Sequence, residues 1–592
     1  MPPTAKRWEV CSPCPREISA ALSHLHPLLI QALYNRGIYD PLEVKGFLEP
    51  PSELRDPFGL KGIREAVARI RAAIQANELI VVYGDFDADG VTSTALLVQA
   101  LRALGARAEP YIPHRIDEGY GLHCDSLDRV AATGAKLVIT VDCGIRSSHE
   151  VAYGQSLGMD MIVTDHHSIQ RDASDRDTLP PALAVINPKQ QDDEYPFKHL
   201  AGVGIAFKVA QALYRANLVD PLVANAQIRT GDLLDLVALG TVADVAPLIG
   251  ENRLLVRRGL IHLNGTVERR GDGDNKVVHL GPRRAGLRAM FGEAGLYAGK
   301  VNAQTIGFVL GPRLNAAGRL SKGMIAYDLL NAPSDEVARA RAYELGELNR
   351  ERQELTRSMV EQAKARLNGA GDSRYLCFIA DGSFNPGVVG LVAGRLTDEL
   401  YLPSVVAHRG ESETRASCRS IPEFNITAAL DDCRELLVRH GGHAAAAGFT
   451  VKNENLPELR RRLEAIAAEQ LGRLDLTPVL KIDAELDLAD LDYAVCTRLG
   501  ELEPHGEANP QPVFVSHGVR VSADSVRTVG HEGQHLKFRV YARGSTGEWD
   551  AIAFRMGDLA DGLPGRVDLA YCIEMNDHSG RPQLVVKDLR PG

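Results

Sequence analysis

The sequence predicts an α/β protein: a parallel-sheet domain joined by a long helix to a second α/β domain, with a small C-terminal β-barrel. Three observations carry this. From residue 66 onward, short and nearly continuous apolar runs alternate with amphipathic helical stretches, the pattern of a parallel sheet covered on both faces. A long helical pattern with a single apolar stripe follows it. After Pro478 the helical period gives way to five strand-like segments.

Residues 1–65 read as a helical leader punctuated by Pro41, Pro50, Pro51 and Pro57. In the first α/β domain, placed at 66–332, strands are expected at Leu79–Tyr83, Ala108–Ile112, Leu137–Val141, Met161–Thr164 and Leu183–Ile186. Helices lie between most of them, among them Thr92–Leu104, closed by Gly105. Gly265–Pro282, rich in Gly, Asp and charge, reads as an exposed loop. Ser334-Asp335-Glu336 caps the long helix, which carries a single apolar stripe from Val337 to Leu367 and stops at Asn368-Gly369. At ~1.5 Å per residue this connecting helix, placed at 333–369, is a strut of about 50 Å. The second α/β domain is placed at 370–475. Over 476–592, strands at Val513–Arg520, His535–Tyr541, Trp549–Phe554, Arg566–Glu574 and Gln583–Leu589, with a helical insert at Met556–Leu563, suit a barrel of the OB type.

Composition narrows the function classes. A chain of 592 residues with 45% hydrophobic and 24% charged residues is ordinary folded protein, about four domains of it. Acidic residues outnumber basic ones, 77 to 67, for a net charge of −10. Bulk positive charge therefore cannot hold nucleic acid here, although a local basic groove can. Met1–Val10 lacks the apolar core of a signal peptide, and the most apolar window, Leu233–Gly250, contains Asp235 and Asp244. Neither a secreted protein nor a membrane-spanning one is expected. Nine scattered cysteines fit a reducing cytoplasm. Cys11-Ser-Pro-Cys14 has no compact second pair and reads as incidental thiols.

The informative residues stand at the strand ends. Asp85, Asp87 and Asp89 follow the first strand, Asp142 the third, and Asp165-His166-His167 the fourth, while Asp244 closes a later apolar run. In an open parallel sheet, ligands sit beyond the carboxyl ends of the strands, so these side chains should converge on one cleft. They cannot do so as bare anions, because each like-charged pair at ~4 Å costs on the order of 4 kcal/mol at an effective dielectric near 20. Carboxylate and imidazole together suit Mg²⁺ or Mn²⁺, and two such ions ~3.5–4 Å apart would share bridging carboxylates and activate a water against a phosphoryl group.

Competing readings fail on particular residues. An EF-hand starting at Asp85 needs a Glu where Leu96 stands. Helix and turn capping would explain one or two of the acids but not such sites at four strand ends. Gly202-Val-Gly204 lacks the third glycine and the strand of a dinucleotide loop, and G-x-x-x-x-G-K-[ST] does not occur.

Asp85-x-Asp87-x-Asp89-Gly90, Asp142-Cys-Gly144, Asp165-His166-His167 and Val242-Ala-Asp244 resemble, in order, the four motifs of the DHH phosphoesterase superfamily. Gly441-Gly-His443, followed by Ala444–Gly448, is similar to the glycine-histidine motif of the associated DHHA1 domain. Tyr34-Asn-Arg-Gly-Ile38, the Gly311–Arg319 stretch, Gly387-Val-Val-Gly390, and Leu502-Glu-Pro-His-Gly506 leading to Asn509-Pro510 resemble the RecJ exonuclease family in particular. The likeness spans nearly the whole chain. It implies a metal-dependent exonuclease that digests single-stranded DNA 5′→3′ to 5′-mononucleotides in recombination and repair. By the same resemblance Asp87 and Asp142 would hold one cation, and Asp89, Asp142, His166 and Asp244 the other. His167 would face the scissile phosphate, and Asp165 would orient the imidazoles. Tyr83 stands where many relatives carry His, which leaves the first cation either weakly held or with its shell completed by Asp85 or water. Phe384-Asn-Pro386 also stands where relatives often place a histidine.

Downstream polar groups fit substrate handling. Arg313, Asn315, Arg319, Ser417 and Arg419 can contact phosphates, and the resemblance adds His443 to Ser417 and Arg419 as groups gripping nucleotides near the cleaved end. In the barrel, Phe538, Tyr541, Trp549, Phe554 and Tyr571 divide between core and base stacking, with Lys537, Arg539 and Arg543 beside them. The strand is expected to pass between the two α/β lobes of a monomer, supplied by a RecQ-type helicase and a single-strand-binding protein. Two alternatives are weighed: a phosphodiesterase for short RNA or cyclic dinucleotides, and an inactive single-strand-binding scaffold. The first goes with chains lacking the leader and barrel, the second with chains lacking the acidic motifs.

Overall fold

The computed structural model describes residues 6–51, 53–115, 117–223, 229–269, 276–367, 374–542, 547–576 and 581–592. The chain forms two compact units, Pro50–Arg352 with Pro504–Pro510, and Met1–Glu49 with Gln353–Glu503 and Gln511–Gly592.

The first unit is built on a parallel sheet of β1 (Leu79–Gly84), β2 (Arg107–Tyr111), β3 (Leu137–Val141), β4 (Asp160–Thr164) and β5 (Ala184–Ile186), in the order β2-β1-β3-β4-β5. Each strand lies within a residue of its expected bounds. The alternating side chains are apolar on both faces. Ile80, Val82, Ile139 and Ile162 pack with helices α1 (Ala88–Ala103) and α2 (Gly202–Val219), whereas Val81, Val138 and Val163 pack with Leu127, Val130 and Val151 on the other side. Helix α1 starts four residues before Thr92 because Asp87 caps it, accepting from the N–H groups of Asp89 and Gly90 at 3.0 and 3.1 Å. Helix α3 (Leu234–Ala243) is buried almost throughout and delivers Asp244 at its C-terminus.

The Gly265–Pro282 segment, expected as a loop, contains an antiparallel pair, Gly265–Arg269 with Lys276–Leu280. The β-branched residues Thr266, Val267, Val277 and Val278 lie on either side of the Gly- and Asp-rich stretch and favour strands. Its tip lies outside the described residues, as do Asn368-Gly369 and Arg543. Asp335–Leu367 forms one 33-residue helix.

In the second unit, Cys377–Asp381, Ser404–Arg409, Glu413–Arg419, Ala446–Lys452 and Leu437–His443 form a mixed sheet in that order. The terminal strands close on themselves, Phe514–Val521 pairing with both His535–Tyr541 and Arg566–Met575, while Glu548–Ala553 and Pro582–Pro591 complete the ring. This is an OB barrel, and the helical insert expected at Met556–Leu563 is a 3₁₀ helix over Gly557–Gly562. The segment expected as a helical leader contains a strand, Arg7–Val10, paired in parallel with Val479–Ile482. Its helices insert Leu22, Leu29, Ile30, Leu33 and Val44 among Leu486, Leu499, Leu502 and Phe538 of the barrel core. Among the described residues no helix is long and apolar enough to cross a membrane.

Candidate metal centre

Four chain turns at the carboxyl ends of β1, β3 and β4 and of helix α3 bring the acids and imidazoles together. The turn after β1 folds into the start of α1, leaving Asp85 and Asp89 buried and Asp87 half-buried. After β3, Asp142 adopts a left-handed backbone with φ 62°, which turns its carboxylate back over the sheet edge. Gly202 opens α2 directly behind it, where a Cβ would come within 2.7 Å of the Asp142 Cβ, so only glycine allows this approach. The helix then presents its N–H groups to the site: Gly202 and Val203 donate to Asp89 at 2.7 and 2.8 Å.

His166 is the hub. Its Nε2 lies 3.0 Å from Asp142 Oδ1, 3.7 Å from Asp244 Oδ2 and 3.9 Å from Asp89 Oδ2. His167 Nδ1 lies 2.7 Å from Asp165 Oδ1, and the other oxygen of Asp165 accepts from the Ile145 N–H at 2.9 Å. The DHH turn is held from below by Asn187, which donates to the His167 carbonyl at 3.0 Å, and by Lys189, which donates to that of His166.

Electrostatics divide the residues into two groups. Burial first, and neighbouring carboxylates second, push Asp85 up to about 8 and Asp89 to about 7. The same causes drive Asp142 and Asp244 well above the usual carboxylate range. Burial would raise Asp165 too, but the hydrogen bond and charge of His167 outweigh it and bring it down to about 2. His167 is raised despite burial because Asp165 holds its proton. Burial, then the charge of His167, lowers His166 to about 3. A neutral imidazole thus stands among acids that resist ionisation together, beside a firmly paired imidazolium.

Whether these side chains suit cations is answered by their unused atoms. Asp85 Oδ1, Asp142 Oδ1 and His166 Nε2 are buried without a hydrogen-bond partner. Three sets of donor atoms each lie within 4.8 Å of one another: Asp85, Asp87 and Asp142; Asp89, His166 and Asp244; and Asp142, His166 and His167. Oxygen and imidazole donors in sets that share Asp142 and His166 fit two divalent ions. Tyr83 is engaged elsewhere. Its ring is fully buried, stacks on Tyr111 at 4.9 Å, and its hydroxyl donates to the Gly121 carbonyl at 3.2 Å. Asp85 stands with Asp87 and Asp142 instead.

The residues expected to contact phosphate have more varied surroundings. Arg313 is bound to the half-buried Glu293 at 2.8 Å and to the Val309 carbonyl at 2.9 Å. Asn315 accepts from the Ala88 N–H at 2.8 Å and so steadies the acidic turn. Arg319 lies near the end of the same helix, Gly311–Leu320. In the second unit, Ser417 and Arg419 are neighbours on one strand, and Gly390 lies against both, where a Cβ would come within 3.3 Å of Ser417 Oγ and 3.5 Å of Arg419 Nη2. His443 is exposed at the end of its own strand. In the barrel, Phe538 and Tyr571 are core, Tyr541 and Trp549 are half-buried, and Phe554 is 51% exposed.

Three residues at the site escaped the sequence reading. Lys189, in Asn187-Pro-Lys189 directly after β5, obeys the same strand-end rule and could have been found by it. Arg115, whose guanidinium lies over Phe86 at 4.0 Å near Asp85 and Asp87, carried no such signal. Tyr120, in a Gly-Tyr-Gly sequence, reaches His167 Nδ1 at 3.1 Å.

Comparison with known proteins agrees with this architecture. The model of the DHH family N-terminal domain matches residues 79–241, that of the DHHA1 domain residues 372–469, and that of the RecJ OB domain residues 482–588. The single-stranded-DNA-specific exonuclease RecJ of Bacillus subtilis is 36% identical over 98% of this chain and 70% of its own length. That of Dickeya dadantii is 36% identical over 95% and 96%. The crystal structure of RecJ in complex with Mn²⁺ from Thermus thermophilus superposes with a TM-score of 0.79 at 32% identity, covering 99% of this chain and 80% of that one. Identity of this extent along almost the entire sequence, with the OB module matched by its own family model, means that the chain belongs to the RecJ family.

Proposed function

We propose that the chain is a single-stranded-DNA-specific exonuclease that hydrolyses phosphodiester bonds with two divalent cations, Mn²⁺ or Mg²⁺. It would run 5′→3′ and release 5′-mononucleotides in DNA recombination and repair. The observation that carries this is the three donor sets linked through Asp142 and His166, with three buried donor atoms unused. The crystallised relative in complex with Mn²⁺ supports the choice of ion.

Asp85, Asp87 and Asp142 would hold one cation, and Asp89, His166 and Asp244, with Asp142, the other. When bound, the ions lower the pKa of a water and offset charge on the phosphoryl oxygens. The rest falls to the protein. The α2 N–H groups fix Asp89, and burial keeps His166 neutral and able to ligate. Asp165 holds the Nδ1 proton of His167, which leaves Nε2 to donate to a phosphate oxygen. Ser417, Arg419 and His443 would grip the strand's phosphates, and Phe554 of the barrel offers an exposed face for a base. On this reading the protein acts as a monomer in the cytoplasm, on strands supplied by a RecQ-type helicase and a single-strand-binding protein. The match to the RecJ OB domain favours it over a phosphodiesterase for short RNA or cyclic dinucleotides.

The test is digestion of 5′- and 3′-labelled single strands with and without chelator, by the wild type and by Asp142→Ala. Labelled mononucleotide should appear first from the 5′ label, vanish with chelator, and fall on the order of 10³-fold or more in the variant. Release first from the 3′ end, or turnover indifferent to chelator, would overturn the assignment.

A further inference from the structure

We propose that Tyr120 is a positioning residue for His167, and that the buried phenol of Tyr83 holds it in place. The inference rests on the exonuclease reading above.

Tyr120 stands between Gly119 and Gly121, whose φ angles of 84° and 89° are left-handed. Glycine alone adopts two such angles around one residue readily, and the resulting kink lifts Tyr120 out of the chain, 51% exposed. Its phenolic oxygen lies 3.1 Å from His167 Nδ1, and its hydroxyl donates to the Asp142 carbonyl at 3.4 Å. The two rings meet edge to face with centroids 5.5 Å apart. His167 Nδ1 already donates to Asp165 at 2.7 Å, so the phenolic oxygen is a second acceptor for that N–H. Gripped at Nδ1 from two sides and along one ring edge, the imidazole has a single orientation, with Nε2 the atom left for substrate.

The kink is itself anchored twice. Tyr83 donates to the Gly121 carbonyl at 3.2 Å. Glu118 accepts from the His114 N–H at 2.8 Å, the Tyr111 hydroxyl at 2.7 Å and the Ser126 hydroxyl at 2.5 Å. Tyr111 stacks on Tyr83, so one continuous set of contacts runs from the sheet interior to the catalytic imidazole.

The experiment compares wild type, Tyr120→Phe, Tyr83→Phe and the double variant on 5′-labelled single strands, with Mn²⁺ affinity measured by calorimetry. Tyr120→Phe keeps the ring and loses the hydroxyl. Its kcat should fall on the order of tenfold, with KM within about twofold and Mn²⁺ affinity unchanged. Tyr83→Phe should show a smaller fall of the same kind, and the double variant should be no worse than Tyr120→Phe. A Tyr120→Phe enzyme with wild-type kcat, a loss that lies in KM or in Mn²⁺ affinity, or additive effects in the double variant would each overturn the proposal. A wild-type protein inert on single strands would instead overturn the exonuclease reading, and this inference with it.

Discussion

Asp85 and Asp89 hold protons in the fold at a pH where an unfolded aspartate, with a pKa of ~3.9, has lost them. Between about pH 4 and pH 8 the folded state therefore binds more protons than the unfolded one. The stability this contributes is complete below about pH 4 and is lost as pH rises through the folded values of about 7 and 8. Cation binding requires the ionised carboxylates, so it must release protons, and Mn²⁺ affinity should rise with pH through the same window. Calorimetric titration at pH 6.5 in two buffers of different ionisation heat measures that release; equal apparent heats would contradict it. Every one of these acids was legible in the sequence, because strand-end position is a property of hydrophobic pattern and chain order. The fate of Tyr83 was not, since no periodicity says where a phenol at a strand end will find its acceptor.

At the level of elements, the helix Gly311–Leu320 shows polar residues that take partners within the fold. Arg313, Asn315 and Arg319 suggest phosphate recognition by composition alone. In the fold, Asn315 supports the acidic turn, and Arg313 shares the half-buried Glu293 with Arg350, which lies 2.9 Å from the other carboxylate oxygen. Removing Arg313 leaves a half-paired, largely desolvated charge, so Arg313→Ala should cost about 1–3 kcal/mol of stability. Denaturant unfolding should register that loss, and KM for single strands should move little at a temperature where the variant stays folded. A large rise in KM with unchanged stability would restore Arg313 to substrate binding. Guanidinium groups look alike in sequence whether they face a phosphate or a glutamate twenty residues upstream. The parallel strands, by contrast, were read within a residue, because burial on both faces leaves an unbroken apolar signature.

Across the whole molecule, the segment before residue 50 changes what a truncation means. Deleting residues 480–592 is the obvious probe of the barrel, but it would also strip Leu22, Leu29, Ile30, Leu33 and Val44 of their partners. Leu33→Ala at this fully buried position should destabilise the second unit by about 2–5 kcal/mol. Both tryptophans, Trp8 and Trp549, lie in that unit, so fluorescence follows it selectively. Unfolding that moves by less than ~0.5 kcal/mol would show that the shared core contributes little. This union was invisible in the sequence, because short amphipathic helices do not disclose which distant strands will cover them.

That union also has a consequence during synthesis. Trp8 donates to Asp588 at 2.7 Å, and Lys6 to the Lys587 carbonyl at 3.1 Å. At roughly 5–20 residues per second, residues 6–49 leave the ribosome on the order of half a minute to two minutes before their counterparts near residue 588 exist. The intervening Pro50–Arg352 body can meanwhile fold almost completely, while the earliest helices wait, greasy and uncovered, for a chaperone or for the end of translation.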